Sequence, residues 1–125
     1  MKLRIKGDSL RLRLLRSEVE MLASAGFVSE EIRFGPGTDQ ALRYTIAYKG
    51  DVAEITVQFS GNQILVLLPE SVSNAWTGSD LVGIERTQNI DENCSLTVLI
   101  EKDFVCRDRP DDPDRADAFP YPAVC

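Results

Sequence analysis

The chain has 125 residues, 43% hydrophobic and 27% charged, with 14 basic against 20 acidic side chains, three cysteines and no histidine. A chain of this length buries roughly two-thirds of its unfolded surface, so one soluble domain folds without a metal or a disulfide. The missing imidazole excludes Ser-His-Asp and Cys-His nucleophile pairs, His-ligated zinc, haem and the facial iron triad, and a net charge of -6 argues against wholesale coating of nucleic acid or an anionic membrane.

The charge is unevenly spread. Residues 1–16 hold six basic groups against one acid, Asp8, while the remaining chain carries 8 basic and 19 acidic groups. Lys2 to Lys6 and Leu10 to Leu14 alternate with period two around the turn residues Gly7-Asp8-Ser9, which predicts a hairpin. Alternation places Leu3, Ile5, Leu10, Leu12 and Leu14 on one face and Lys2, Arg4, Lys6, Arg11 and Arg13 on the other.

Ser17 followed by Glu20 predicts a capping box, with Gly26 ending the helix and Val19, Leu22 and Ala23 as its buried stripe. Strands follow at Phe27 to Phe34, Leu42 to Tyr48, Val52 to Phe59 and Gln63 to Leu68, the last three joined as an antiparallel meander by Lys49-Gly50-Asp51 and Ser60-Gly61-Asn62. The continuously apolar Ile64 to Leu68 reads as a central, doubly covered strand. Pro69 to Trp76 reads as a short helix with Pro69 at its first position and Trp76 in the core. Val82 to Thr87 and Ser95 to Glu101 supply the last two strands.

Residues 107–117, RDRPDDPDRAD, and 118–125, AFPYPAVC, are punctuated by proline and predict an extended arm. The organisation expected is one domain over 1–106 with an acidic arm over 107–125 packed on it, docked on its own domain or exchanged with a neighbouring subunit, and no internal repeat. The fold class expected is α+β, an antiparallel sheet of seven or eight strands with a half-barrel as its curled form and one capped helix after the first hairpin.

No apolar stretch has the length of a secretory signal or a bilayer span. Cys94, Cys106 and Cys125 show no CxxC spacing, so reduced thiols, a cytoplasmic location and no membrane are expected. Nothing in the chain calls for a cofactor.

Two clusters carry chemistry. Lys2, Arg4, Lys6, Arg11 and Arg13 form a flat cationic array suited to an anionic ligand or an acidic protein surface, with nucleic acid a less favoured partner. Its plain structural alternative is a face neutralised by the acidic remainder of the chain. Glu101, Asp103 and Cys106 concentrate two carboxylates and a thiol where a strand ends, which suits a metal-dependent or thiol-based site. There the structural alternative pairs both carboxylates with the basic hairpin or with Lys102. The run Asp108, Asp111, Asp112, Asp114 and Asp117 lacks the Gly and terminal Glu of a calcium loop and reads as solvated.

The stretch Lys6-Gly7-Asp8-Ser9-Leu10 followed by Arg13 and a short helix resembles the start of AbrB- and MazE-type antitoxins over about 20 residues. That resemblance implies a DNA-binding dimer, and the chain departs from it by adding further strands. The opening MKLRIKGDSLRLRL, then RSEV, LLPE before Trp76, an EKDFxC element and a tail ending DAFPYP resemble, over the whole chain, a family of small uncharacterised bacterial proteins, a domain of unknown function. This second resemblance implies a compact bacterial cytoplasmic protein and transfers no site residues. The reading that follows is a non-catalytic binding module, with the Glu101, Asp103 and Cys106 site and the antitoxin-like dimer as alternatives.

Overall fold

The computed structural model describes residues 1–104 and 115–119. The element order is β1 (Lys2–Lys6), β2 (Ser9–Leu14), α1 (Arg16–Ala25), β3 (Phe27–Arg33), β4 (Ala41–Lys49), β5 (Thr56–Ser60), β6 (Gln63–Pro69), α2 (Glu70–Thr77), β7 (Gly83–Asp91) and β8 (Cys94–Lys102), then a single 3-10 turn at Arg115–Asp117. This order is a ββαββ unit met twice, a repeat of topology that residue identity does not betray.

The strands form two four-stranded sheets in the orders β1-β2-β8-β7 and β3-β4-β6-β5. In each, two antiparallel hairpins meet through inner strands that run parallel, β2 beside β8 and β4 beside β6. The expected single antiparallel sheet is therefore corrected to two mixed sheets. The meander fails at one step: β4 and β5 are not neighbours, because β6 lies between them. The apolar run that the sequence marks as central takes the covered position, and the short β5, with Gln58, Phe59 and Ser60 exposed, goes to the edge. The hairpin turn there has Gly61 at φ 55° and Asn62 at φ 59°, the left-handed pair that a two-residue turn matching the strand twist requires.

The inner faces supply one core. Leu10, Leu12, Leu14, Val98 and Ile100 come from the first sheet, and Val28, Ile46, Ile64, Val66 and Leu68 from the second. Val19 and Leu22 of α1 and Trp76 of α2 belong to the same core. Ala23, expected in the α1 stripe, is exposed.

Helix α1 begins two residues earlier than the Ser17 box predicts, with Leu15 in the N-cap position. Glu18 reaches back to accept the Leu15 amide at 2.8 Å, and Gly26 at φ 90° ends the helix. Ser17 is freed for another partner: its amide and hydroxyl both donate to the Asp117 carboxylate.

The seams between the sheets are closed by side chains. On one side the Gln88 carboxamide accepts the Val57 amide at 2.9 Å and donates to the Val57 carbonyl at 3.1 Å, pairing with the β5 edge as a strand would. On the other, the buried Met1 ammonium lies against Glu18 and Glu30.

Candidate functional site

The hairpin β1–β2 pairs Lys2 with Arg13, Arg4 with Arg11 and Lys6 with Ser9. Because β8 and β7 continue the sheet, these positions extend into three rows across its outer face: Lys2, Arg13, Glu101, Gly83; Arg4, Arg11, Leu99, Glu85; and Lys6, Ser9, Thr97, Thr87. All five cations singled out in the sequence thus share one face. Leu12 and Ile100, with opposite parity, are buried beneath them.

The cations are not equally engaged. Glu101 presents one oxygen to Arg11 Nε at 2.5 Å and to Arg13 Nε at 2.7 Å, and its side chain is 15% exposed. Lys2 Nζ lies 2.9 Å from Asp103 Oδ2. Arg4 and Lys6 are exposed and make no ion pair with any described residue. Like charges placed directly opposite in a ladder repel, and Glu101 relieves the Arg11 side of the Arg4–Arg11 pair only. An anion seated over that pair would relieve the other side.

Glu101 and Asp103 both meet cations of the hairpin, and Cys106 lies outside the described residues. Among the described residues no group of three or more Cys, Asp and Glu side chains is arranged to hold a metal ion. The Cys94 thiol lies 3.6 Å from the Asp8 carboxylate; burial and that charge push its pKa up, which suppresses the thiolate. The Asp-rich run falls outside the described residues except for Asp117.

The sequence reading misses two buried cations. Lys102 is 6% exposed, on the core-facing parity of β8 with Val98 and Ile100. Its ammonium donates to the Ser79 carbonyl at 2.6 Å and lies 5.7 Å from the Trp76 ring centroid and 5.6 Å from that of Phe119. Burial pushes its pKa down. Ending the predicted strand at Glu101 hides this residue; one more step of alternation finds it. The second is Met1, whose amine is raised above its ordinary value: burial alone would lower it, and the hydrogen bonds and charges of Glu18 and Glu30 outweigh burial.

Residues 117–119 dock beside these groups. The Phe119 amide donates to the Asp103 carbonyl at 2.8 Å, its ring packs on Phe104 at 5.8 Å between centroids, and Ala118 is buried. A groove of about 480 Å³ runs along the β5–β7 seam, lined by Glu54, Gln58, Arg86, Gln88 and Asn89 among others. Its guanidinium, Arg86, is already bound to Glu54 and to the Ile55 carbonyl.

Over residues 1–123 the chain matches a family model described as Family of unknown function (DUF7009). The protein belongs to that family. No curated protein and no solved structure matches it. Membership of DUF7009 agrees with the whole-chain resemblance read from the first hairpin and the EKDFxC element, and it brings no activity with it. Within the described residues of this DUF7009 member, no helix is long and apolar enough to cross a membrane.

Proposed function

We propose that this DUF7009 protein is a non-catalytic binding module that uses the outer face of its first sheet toward an anionic partner. The observation that carries the reading is the Arg4–Arg11 cross-strand pair, in which only Arg11 meets a carboxylate among the described residues, with Lys6 in the next row. The residues that bind are Arg4, Lys6 and Arg11, with Lys2 and Arg13 flanking them. Glu101 and Asp103 act as built-in counter-ions that hold the array together before a partner arrives.

The antitoxin-like arrangement receives no support from the way β2 is used, since β2 pairs with β8 of its own chain where intertwined hairpins would need a second copy. The reading is tested by titrating inorganic tripolyphosphate into the folded protein at low ionic strength, by calorimetry. Binding is expected for the natural chain and is expected to be lost in Arg4→Ser and in Lys6→Ser. Unchanged heats in both variants overturn it.

A further inference from the structure

The outer face of the first sheet has a defined repeat, and the repeat selects among anions. The rows Lys2/Arg13, Arg4/Arg11 and Lys6/Ser9 follow one another every second residue, which on antiparallel strands is a step of about 6.8 Å. An extended peptide with carboxylates at alternate residues has the same step, because its own side chains also return to one side every second residue. The chain already contains such a guest. Glu101 and Asp103, two residues apart at the end of β8, meet Arg11 with Arg13 and Lys2 respectively.

Resting on the binding reading above, we infer that the anionic partner is an extended acidic peptide segment carrying Asp or Glu at alternate positions, laid along β1 and β2 over Arg4, Arg11 and Lys6. Two further observations favour a peptide over nucleic acid. The described positions of the face, from Lys2, Arg4 and Lys6 across Leu99 and Thr97 to Glu85 and Thr87, include no aromatic ring on which a base would stack. The three rows also span only about 14 Å, and the chain beyond residue 16 is strongly acidic, so a long polyanion would run off the array into a repelling field. A short acidic segment ends where the cations end. The hydroxyls of Ser9, Thr97 and Thr87 in the last row suit the backbone and side-chain polar groups of a peptide.

The test compares three ligands of equal charge on the full chain at low salt: the capped peptide Asp-Ser-Asp-Ser-Asp, the capped peptide Ser-Asp-Asp-Asp-Ser, and a thymidine tetranucleotide. The alternating peptide is expected to bind about fivefold more tightly than the contiguous one, the difference of one or two exposed ion pairs. Arg4→Ser and Lys6→Ser should each remove that preference; both side chains are exposed and without a described ion-pair partner, so the fold is expected to survive, and either variant alone suffices. Equal binding of the two peptides overturns the spacing inference while leaving anion binding by the face intact, as does binding of tripolyphosphate with neither peptide. Tighter binding of the tetranucleotide overturns the peptide in favour of a nucleic acid. Failure of all these ligands, tripolyphosphate included, removes the binding reading itself.

Discussion

Arg4 stands directly across from Arg11 in the first hairpin, yet among the described residues only Arg11 reaches a carboxylate, that of Glu101. Among the described residues, the hairpin is therefore neither fully neutralised nor freely cationic. Glu101 compensates the inner strand, and the edge strand keeps Arg4 and Lys6 outward.

Replacing Glu101 with Gln should move stability and binding in opposite directions. Arg11 and Arg13 lose their shared acceptor charge, and since both are partly exposed the cost is about 1–2 kcal/mol after allowance for solvent. The same change frees two guanidinium groups, so tripolyphosphate should bind more tightly. Denaturant unfolding and calorimetry on one sample check both. Lower stability without a gain in affinity would make Glu101 purely structural and weaken the binding reading.

Gln88→Ala should open the β5–β7 seam. The variant leaves the Val57 amide and carbonyl without their partner, at a cost of about 1–3 kcal/mol. Amide hydrogen exchange should report it first at Val57.

Lys102→Met should leave stability equal or raise it, because an apolar chain of similar length replaces a buried ammonium that has no described carboxylate within ion-pair reach. The pH dependence gives the sharper readout. The folded pKa lies below 10.5, so between that lowered value and pH 10.5 the unfolded chain binds more protons and stability rises with pH. Lys102→Met should lack that rise when unfolding free energies are compared between pH 8 and pH 10.5.

Met1 gives the opposite sign. Its amine is raised above 8.0, so its contribution is fully present below pH 8 and is lost as pH climbs through the folded value. Acetylating the amine should lower the melting temperature at pH 7, with the difference from the free amine shrinking in alkali. Glu18→Gln should cost more than Glu30→Gln, since Glu18 is 14% exposed and Glu30 is 41%. Equal losses would mean that burial does not rank the two contacts.

Asp117 is expected to control the docking of residues 117–119. The hydrogen bond from the Ser17 hydroxyl holds its carboxyl below the usual value, so the contact persists above pH 3.8 and is lost as pH falls through the folded pKa. Asp117→Asn or acidification should speed exchange of the Phe119 amide, measurable by hydrogen exchange. An unchanged rate would show that Phe119 and Ala118 hold the segment without it.

Much of the secondary structure was legible in the residues because alternation and turn chemistry are local. Lys2 to Lys6 alternates as β1 does, Gly26 ends α1, and Ile64 to Leu68 is apolar throughout because side chains of both parities in β6 are buried or half-buried. The identity of strand partners was not legible. Nothing local distinguishes β6 lying beside β4 from β5 lying there, and the parallel pairing of β2 with β8 joins residues that are far apart in the chain. The Ser17 capping box misled because the Ser17 hydroxyl found Asp117, one hundred residues away.

The amino-acid sequence by itself determined a chain without histidine chemistry and with its cations concentrated near one end, and period two placed five of those cations on one face. Tertiary structure alone decided which of them meet a carboxylate among the described residues. Alternation fixes the side of a strand that a residue faces, but a carboxylate neutralises a guanidinium only at contact distance, and it is the β2–β8 register that brings Glu101 to Arg11 and Arg13 and leaves Arg4 and Lys6 facing outward.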